Sequence, residues 1–134
     1  MYTFQDLIDV TEKLRSENGC PWDRAQTHES LKECLKNECQ EVIDAIDSGD
    51  MENLCEELGD VLFQVMMHSQ LAKEEGAFTI DDVIHGICDK MVFRHPHVFG
   101  GQTEFPGEGG TPTWEEVNVK SKCEKSQKYF IRPH

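Results

Sequence analysis

LKECLKNECQEVIDAIDSGDMENLCEELGDVLFQVMMHSQLA, residues 31–72, carries two acid pairs at one spacing, Glu38 with Glu41 and Glu57 with Asp60. On an α-helix an i, i+3 separation falls about 60° short of a full turn and rises about 4.5 Å, so each pair shares a face. In the first half Leu31, Leu35, Val42 and Ala45 mark a core-facing stripe, and Glu38 stands where that rhythm demands another apolar residue. In the second half Leu54, Leu58, Val61 and Val65 form the expected stripe, with Glu57 and Asp60 flanking it. Gly49 is a left-handed helix stop and Asp50 a cap for the next helix. Two helices, over 27–48 and 50–75, are therefore predicted to pack antiparallel and bring their acids face to face.

Carboxylates on or beside core stripes are costly when unpaired, and several together repel one another. A cation resolves both problems. A set of hard oxygen ligands suits Mg²⁺, with Mn²⁺ as a substitute, better than zinc. The competing reading is a solvated acidic face, since the chain holds 26 acids. Two pairs that both interrupt apolar stripes favour the metal.

The 134 residues predict a single domain over 1–134. Hydrophobic residues at 37% and charged residues at 29% are those of a soluble globular protein. No run is long enough for a membrane span and the N-terminus has no basic-then-apolar signal, so a cytoplasmic location is expected. A net charge of −13 argues against a nucleic-acid polymer as partner. It also means that a phosphorylated substrate needs metal and a few placed cations to approach. None of the six cysteines forms a C-x-x-C pair, which argues against a zinc site or disulfide framework.

A first helix is predicted over 4–17, capped by Thr3, with Phe4, Leu7, Ile8, Thr11 and Leu14 inward. Pro21 breaks the chain into a loop at Cys20-Pro21-Trp22-Asp23, where Trp22 is expected as a core plug rather than a base-stacking platform. From Val61 to Met67 apolar residues appear all round the helix, so it is expected to be buried on more than one side and to lie near a homodimer interface. Gly59 would permit close backbone packing beside the acids, and His68 reads as a packed histidine. A fourth helix over 80–94, begun by a Thr79–Asp82 capping box, turns Ile80, Val83, Ile84, Ile87 and Met91 inward. Lys90 and Arg94 share a face, either complementing the helix dipole or clamping phosphate. His95-Pro96-His97 reads as a turn with packed rings, and 100–112 as a mobile loop without a P-loop ending. Thr113-Trp114-Glu115-Glu116 opens a last helix, and 127–134 reads as a frayed tail.

The acid pattern, with fifteen residues between Glu41 and Glu57, resembles the metal-binding pattern of the MazG nucleoside triphosphate pyrophosphohydrolases. Asn18-Gly19-Cys20-Pro21-Trp22-Asp23, Glu57-Leu58-Gly59-Asp60-Val61-Leu62-Phe63-Gln64-Val65, Arg94-His95-Pro96-His97-Val98-Phe99 and Trp114-Glu115-Glu116 are similar to segments of that family, in the family's order. The resemblance implies an all-α antiparallel helical bundle, dimeric, that hydrolyses an NTP or dNTP to the monophosphate and pyrophosphate. It implies Glu38, Glu41, Glu57 and Asp60 as Mg²⁺ ligands, Lys90 and Arg94 near the phosphates, and Trp114 in nucleotide contact. Asn53 and Glu56 fall where the nucleotide approaches the third helix. Glu38 or Glu41 would take the proton of the attacking water. One position departs from the family: Asn37 stands where the pattern begins with a glutamate, and joins the nucleotide-facing set as an amide. If that first acid activates water, the chain is a slow enzyme, or a module that binds nucleotide without turning it over.

Overall fold

The computed structural model describes residues 1–100, and no strand occurs among them. Two compact units divide the chain, Met1–Ile80 and Asp81–His134. The first holds α1 (Phe4–Leu14), α2 (Pro21–Ala25), α3 (Lys32–Ser48) and α4 (Met51–Glu74).

Thr3 starts α1 with reciprocal bonds. Its hydroxyl accepts from the Asp6 backbone N–H at 3.2 Å, and the Asp6 carboxylate accepts from the Thr3 N–H at 2.7 Å. The helix stops at Leu14, three residues before the predicted end, because the chain folds back over it. Cys20 N–H donates to the Leu14 carbonyl at 2.8 Å. This fold-back needs Gly19, where any Cβ would collide with the backbone carbonyls of Lys13 and Leu14.

The expected loop at 20–23 is instead the start of α2. Pro21 cannot continue a helix from before it but, as the first residue of α2, lacks only an N–H that would have no helical partner. Trp22 is 59% exposed, which overturns the core-plug expectation: Asp23 is the residue of this helix that is buried. Arg15 gathers the segment, donating to the carbonyls of Asp23 and Gln26 and to the Glu74 carboxylate at the end of α4.

The helix expected from 27 begins at Lys32. Thr27 and Ser30 form a closed turn of their own, each hydroxyl accepting from the other's backbone N–H, at 2.8 and 3.0 Å. Side chains of this kind compete with the helix for backbone donors. From there α3 runs to Ser48. Gly49 adopts the left-handed conformation, φ 71°, and Asp50 caps α4 by accepting from Asn53 N–H at 3.1 Å. A two-residue joint folds α4 back along α3, and this pair forms the most extensive helix contact of the first unit, followed by α1 on α4.

Leu31, Met67 and Leu71 make the buried core, with Cys34 and Phe63 packed on it. Each fully buried side chain of this size stabilises the fold by about 1.5–3 kcal/mol. The α3 stripe is as predicted, Leu31, Leu35, Glu38, Val42 and Ala45 all facing away from bulk water. The α4 stripe is so in part. Leu54, Val61 and Val65 are half-buried as predicted, but Leu58 is 50% exposed, and Asn53, Glu57 and the buried Gln64 share the inward side. Gly59 is exposed and a Cβ there would meet nothing, so it mediates no close backbone approach. Across Val61–Met67 the burial is uneven: Gln64, Met66 and Met67 are buried, whereas Leu62 is 40% exposed.

In the second unit α5 (Ile80–Arg94) has the predicted bounds. Ile84 and Ile87, expected inward, are 37% and 49% exposed. The His95-Pro96-His97 turn is α6 (Pro96–Phe99), again opened by a proline. The His95 and His97 rings lie 5.6 Å apart and tilted by 50°. The loop predicted at 100–112, the helix from Thr113 and the tail at 127–134 lie outside the described residues, apart from Gly100 itself, which has φ 81°.

Candidate metal centre

The antiparallel pairing of α3 and α4 brings the four acids together. One carboxylate oxygen from each of Glu38, Glu41, Glu57 and Asp60 lies within 4.8 Å of the other three. Glu38 and Glu57 are half-buried, Glu41 and Asp60 exposed, so the cluster has an inner and an outer side. On the inner side Glu38 Oε2 and Glu57 Oε2 are shut off from solvent with no N–H or hydroxyl donor to satisfy them. Buried acceptors of that kind are rare in folded proteins and demand a donor or a cation.

The electrostatics agree. A proton shared in a hydrogen bond with the Glu41 carboxylate pushes the Glu57 carboxyl up to about 7, aided by desolvation and by the charges of Glu41, Asp60 and Glu56. Glu38 is also pushed up, chiefly by burial and then by Glu41 and Asp60. Without a cation the cluster is thus driven to hold protons it would not hold in water. A divalent ion relieves the same repulsion, and an all-carboxylate donor set fits a hard ion such as Mg²⁺ or Mn²⁺.

The other predicted residues fall into three groups. Asn37 is exposed on α3, one turn before Glu41; Asn53 is half-buried one turn before Glu57; Glu56 is exposed one turn before Asp60. All three border the cluster along their own helices. Lys90 and Arg94 lie one turn apart near the end of α5, Arg94 buried and Lys90 half-buried. Trp114 lies outside the described residues.

The sequence from 26 to 99 matches the MazG nucleotide pyrophosphohydrolase domain. The chain belongs to the MazG family. It is 51% identical over 122 residues to the nucleoside triphosphate pyrophosphohydrolase/pyrophosphatase MazG of Thermotoga maritima, covering 91% of this chain and 46% of that protein. It is 39% identical over 122 residues to the nucleoside triphosphate pyrophosphohydrolase of Escherichia coli K12, covering 90% of this chain and 46% of that one. The chain thus spans less than half the length of these MazG relatives. The crystal structure of a mazG-related protein from Thermotoga maritima superposes with a TM-score of 0.64 at 27% identity, over 91% of this chain and 98% of that chain.

One feature of the α3–α4 pair left no mark in the motifs. His28, in the turn before α3, and His68 on α4 meet through their Nδ1 atoms at 2.8 Å. They are separated by 40 residues, and no local spacing announces the contact.

Proposed function

We propose that this MazG-family chain is a divalent-cation-dependent nucleoside triphosphate pyrophosphohydrolase that converts an NTP or dNTP and water to the monophosphate and pyrophosphate, as nucleotide-pool housekeeping in the cytoplasm. The convergence of four carboxylates with two unpartnered buried oxygens carries this reading. The family match and the named activities of its relatives support it.

Glu38, Glu41, Glu57 and Asp60 would hold Mg²⁺. The ion supplies neutralisation of the triphosphate and polarisation of its oxygens. The protein's own part is division of labour within the cluster. Glu38 and Glu57, recessed and short of partners, are suited to gripping the ion. Glu41 is exposed and interacts with both, which supports it over Glu38 as the acid that takes a proton from water entering at the outer side. Water adds to phosphorus, the anhydride P–O bond breaks, pyrophosphate departs with that electron pair, and the proton passes to the carboxylate. Lys90 and Arg94 would offset charge on the departing pyrophosphate, and Trp114 would contact the nucleotide.

A homodimer belongs to the same reading. Ile43 and Ile46 on α3 and Leu58 and Leu62 on α4 are 50%, 58%, 50% and 40% exposed, an apolar surface that a second copy would cover.

Asn37 favours one rival. An amide cannot serve as a base, and a chain lacking an acid there could bind Mg-nucleotide without turnover. Incubation with each NTP and Mg²⁺, followed by ³¹P NMR, separates the readings. Monophosphate and pyrophosphate support hydrolysis. Tight calorimetric binding with no product supports the rival, and orthophosphate without pyrophosphate overturns the proposal.

A further inference from the structure

The His28 and His68 rings have centroids 5.0 Å apart and planes within 11° of each other. With the Nδ1 atoms at 2.8 Å, that centroid separation is nearly the N···N distance plus the two ring radii. The rings therefore lie edge to edge and almost coplanar, nitrogen pointing at nitrogen. One proton fits between them, and no metal ion does.

The surroundings decide which ring owns that proton. His68 Nε2 is buried without a partner. A proton there would bury an unsatisfied N–H donor, whereas a proton on Nδ1 is used in the bond. His28 must then accept at Nδ1 and carry its own proton on Nε2, which faces Glu75 Oε2 at 3.7 Å on the wet side. Charged groups on the flanking segments pair elsewhere: Glu29 with Lys32, Arg15 with Glu74, and Lys73 with Glu12.

We propose that His28 and His68 form a single-proton clamp, with Nδ1–H of His68 donating to Nδ1 of His28, and that the clamp positions α3 against α4 so that the two acid pairs meet. The clamp sits where the chain enters α3. Leu31, the first core residue of that helix, follows three positions later and packs on Met67 and Leu71, which flank His68 in α4. Fixing this end fixes the register of the whole pair, because the far end is already closed by Gly49 and Asp50. Glu38 and Glu57 lie between the two fixed ends.

The clamp is sensitive to acid. A further proton on His28 Nδ1 would put two hydrogens between nitrogens 2.8 Å apart. His68 must then move its proton to the buried Nε2, or the rings must part. Burial and the charge of His28 both hold His68 below its ordinary value of 6.5. At His68 the folded state therefore binds fewer protons than the unfolded chain as pH falls through 6.5, and the stability this site contributes above that pH is lost below it.

The proton arrangement stands apart from the proposed function; the effect on the acid cluster rests on it. Long-range ¹H–¹⁵N correlation of the imidazoles at about pH 7.5 should place the proton of His68 on Nδ1 and that of His28 on Nε2. A His68 proton on Nε2 overturns the clamp. Melting in EDTA at about pH 7.5 and about pH 5.5 tests its role in solution. His68→Asn keeps an amide donor near the Nδ1 position without titrating there. The wild type should lose at least about 4 °C more on acidification than the variant, the size of roughly a 1 kcal/mol effect; equal losses overturn the claim. In Mg²⁺, His68→Asn should keep more than half of the wild-type melting shift and His68→Leu less than half, and equal shifts in the two variants overturn the positioning role. A wild type with no Mg²⁺ shift overturns the proposed metal site and positioning together, while the NMR result still decides the clamp.

Discussion

Arg15 and Glu74 are joined by two nearly parallel hydrogen bonds, Nε to Oε2 at 2.8 Å and Nη2 to Oε1 at 2.9 Å. The pair ties the end of α1 to the end of α4. The Arg15 side chain is 9% exposed and that of Glu74 39%, so one half of the pair is sheltered and the other screened by solvent. The bond to Arg15 holds Glu74 below its ordinary value of 4.5. A depressed acid contributes stability that is present above its unfolded value and lost as pH falls through the folded one. The contribution should therefore disappear only below about pH 4.5. Glu74→Gln should lower stability at about pH 7 by about 1 kcal/mol, the upper end for an exposed pair. The difference from wild type should shrink as pH falls below 4.5 and vanish once Glu74 is protonated in the folded protein, and a difference that stays undiminished in acid would refute the ion-pair account.

The acid cluster predicts a change of sign. In EDTA, Glu57→Gln removes one of the mutually repelling carboxylates, and the variant should melt higher than wild type. In Mg²⁺ the order should reverse, because the wild type gains a ligand set that the variant lacks. Pyrophosphate release should fall by on the order of 100-fold. Differential scanning fluorimetry in the two buffers reads the first pair of outcomes. The same ordering in both buffers would count against ion binding by these acids.

Gly19 makes a structural prediction. A Cβ at this position meets backbone carbonyls, which cannot rotate out of the way as a side chain would. Gly19→Ala should destabilise by about 1–3 kcal/mol, as overpacking generally does. Chemical denaturation checks it; a change under half a kilocalorie, about the scatter of surface substitutions, would mean that the fold-back has room to spare.

The apolar surface of α3 and α4 makes the fourth. Leu58→Glu combined with Leu62→Glu places two charges on neighbouring turns of one face. Light scattering should show the wild type as a dimer and this variant as a monomer. A monomeric wild type would remove the dimer from the proposal.

Much of α3 was legible because its signal is local. The 4-then-3 spacing named Leu31, Leu35, Glu38, Val42 and Ala45, and those residues turn inward. Gly49 and Asp50 were equally clear, since a left-handed stop followed by an acidic cap has few other meanings. In α4 Leu54, Val61 and Val65 turn inward as their spacing predicts, and Leu58 does not. Leu58 and Leu62 belong to an exposed surface, and hydrophobicity alone does not say whether a residue faces its own core or another molecule. The inward side also includes Asn53, Glu57 and Gln64, polar residues that a hydrophobic pattern passes over. Trp22 failed for a related reason: its size suggested burial, yet Pro21 began a short helix that turned it outward. The convergence of the acids followed from two helical periods and one short joint. The His28–His68 contact followed from neither, because it depends on how the 27–30 turn delivers the chain to α3.

The joint at Gly49 and Asp50 bears on the order of assembly. Contacts between α3 and α4 close the shortest loops available to any two long helices here, so this hairpin is expected to condense before α1 docks. The repulsive acids are then forced together while the nascent hairpin has little else to hold it. Refolding rate, rather than final stability alone, should therefore quicken with divalent ion concentration.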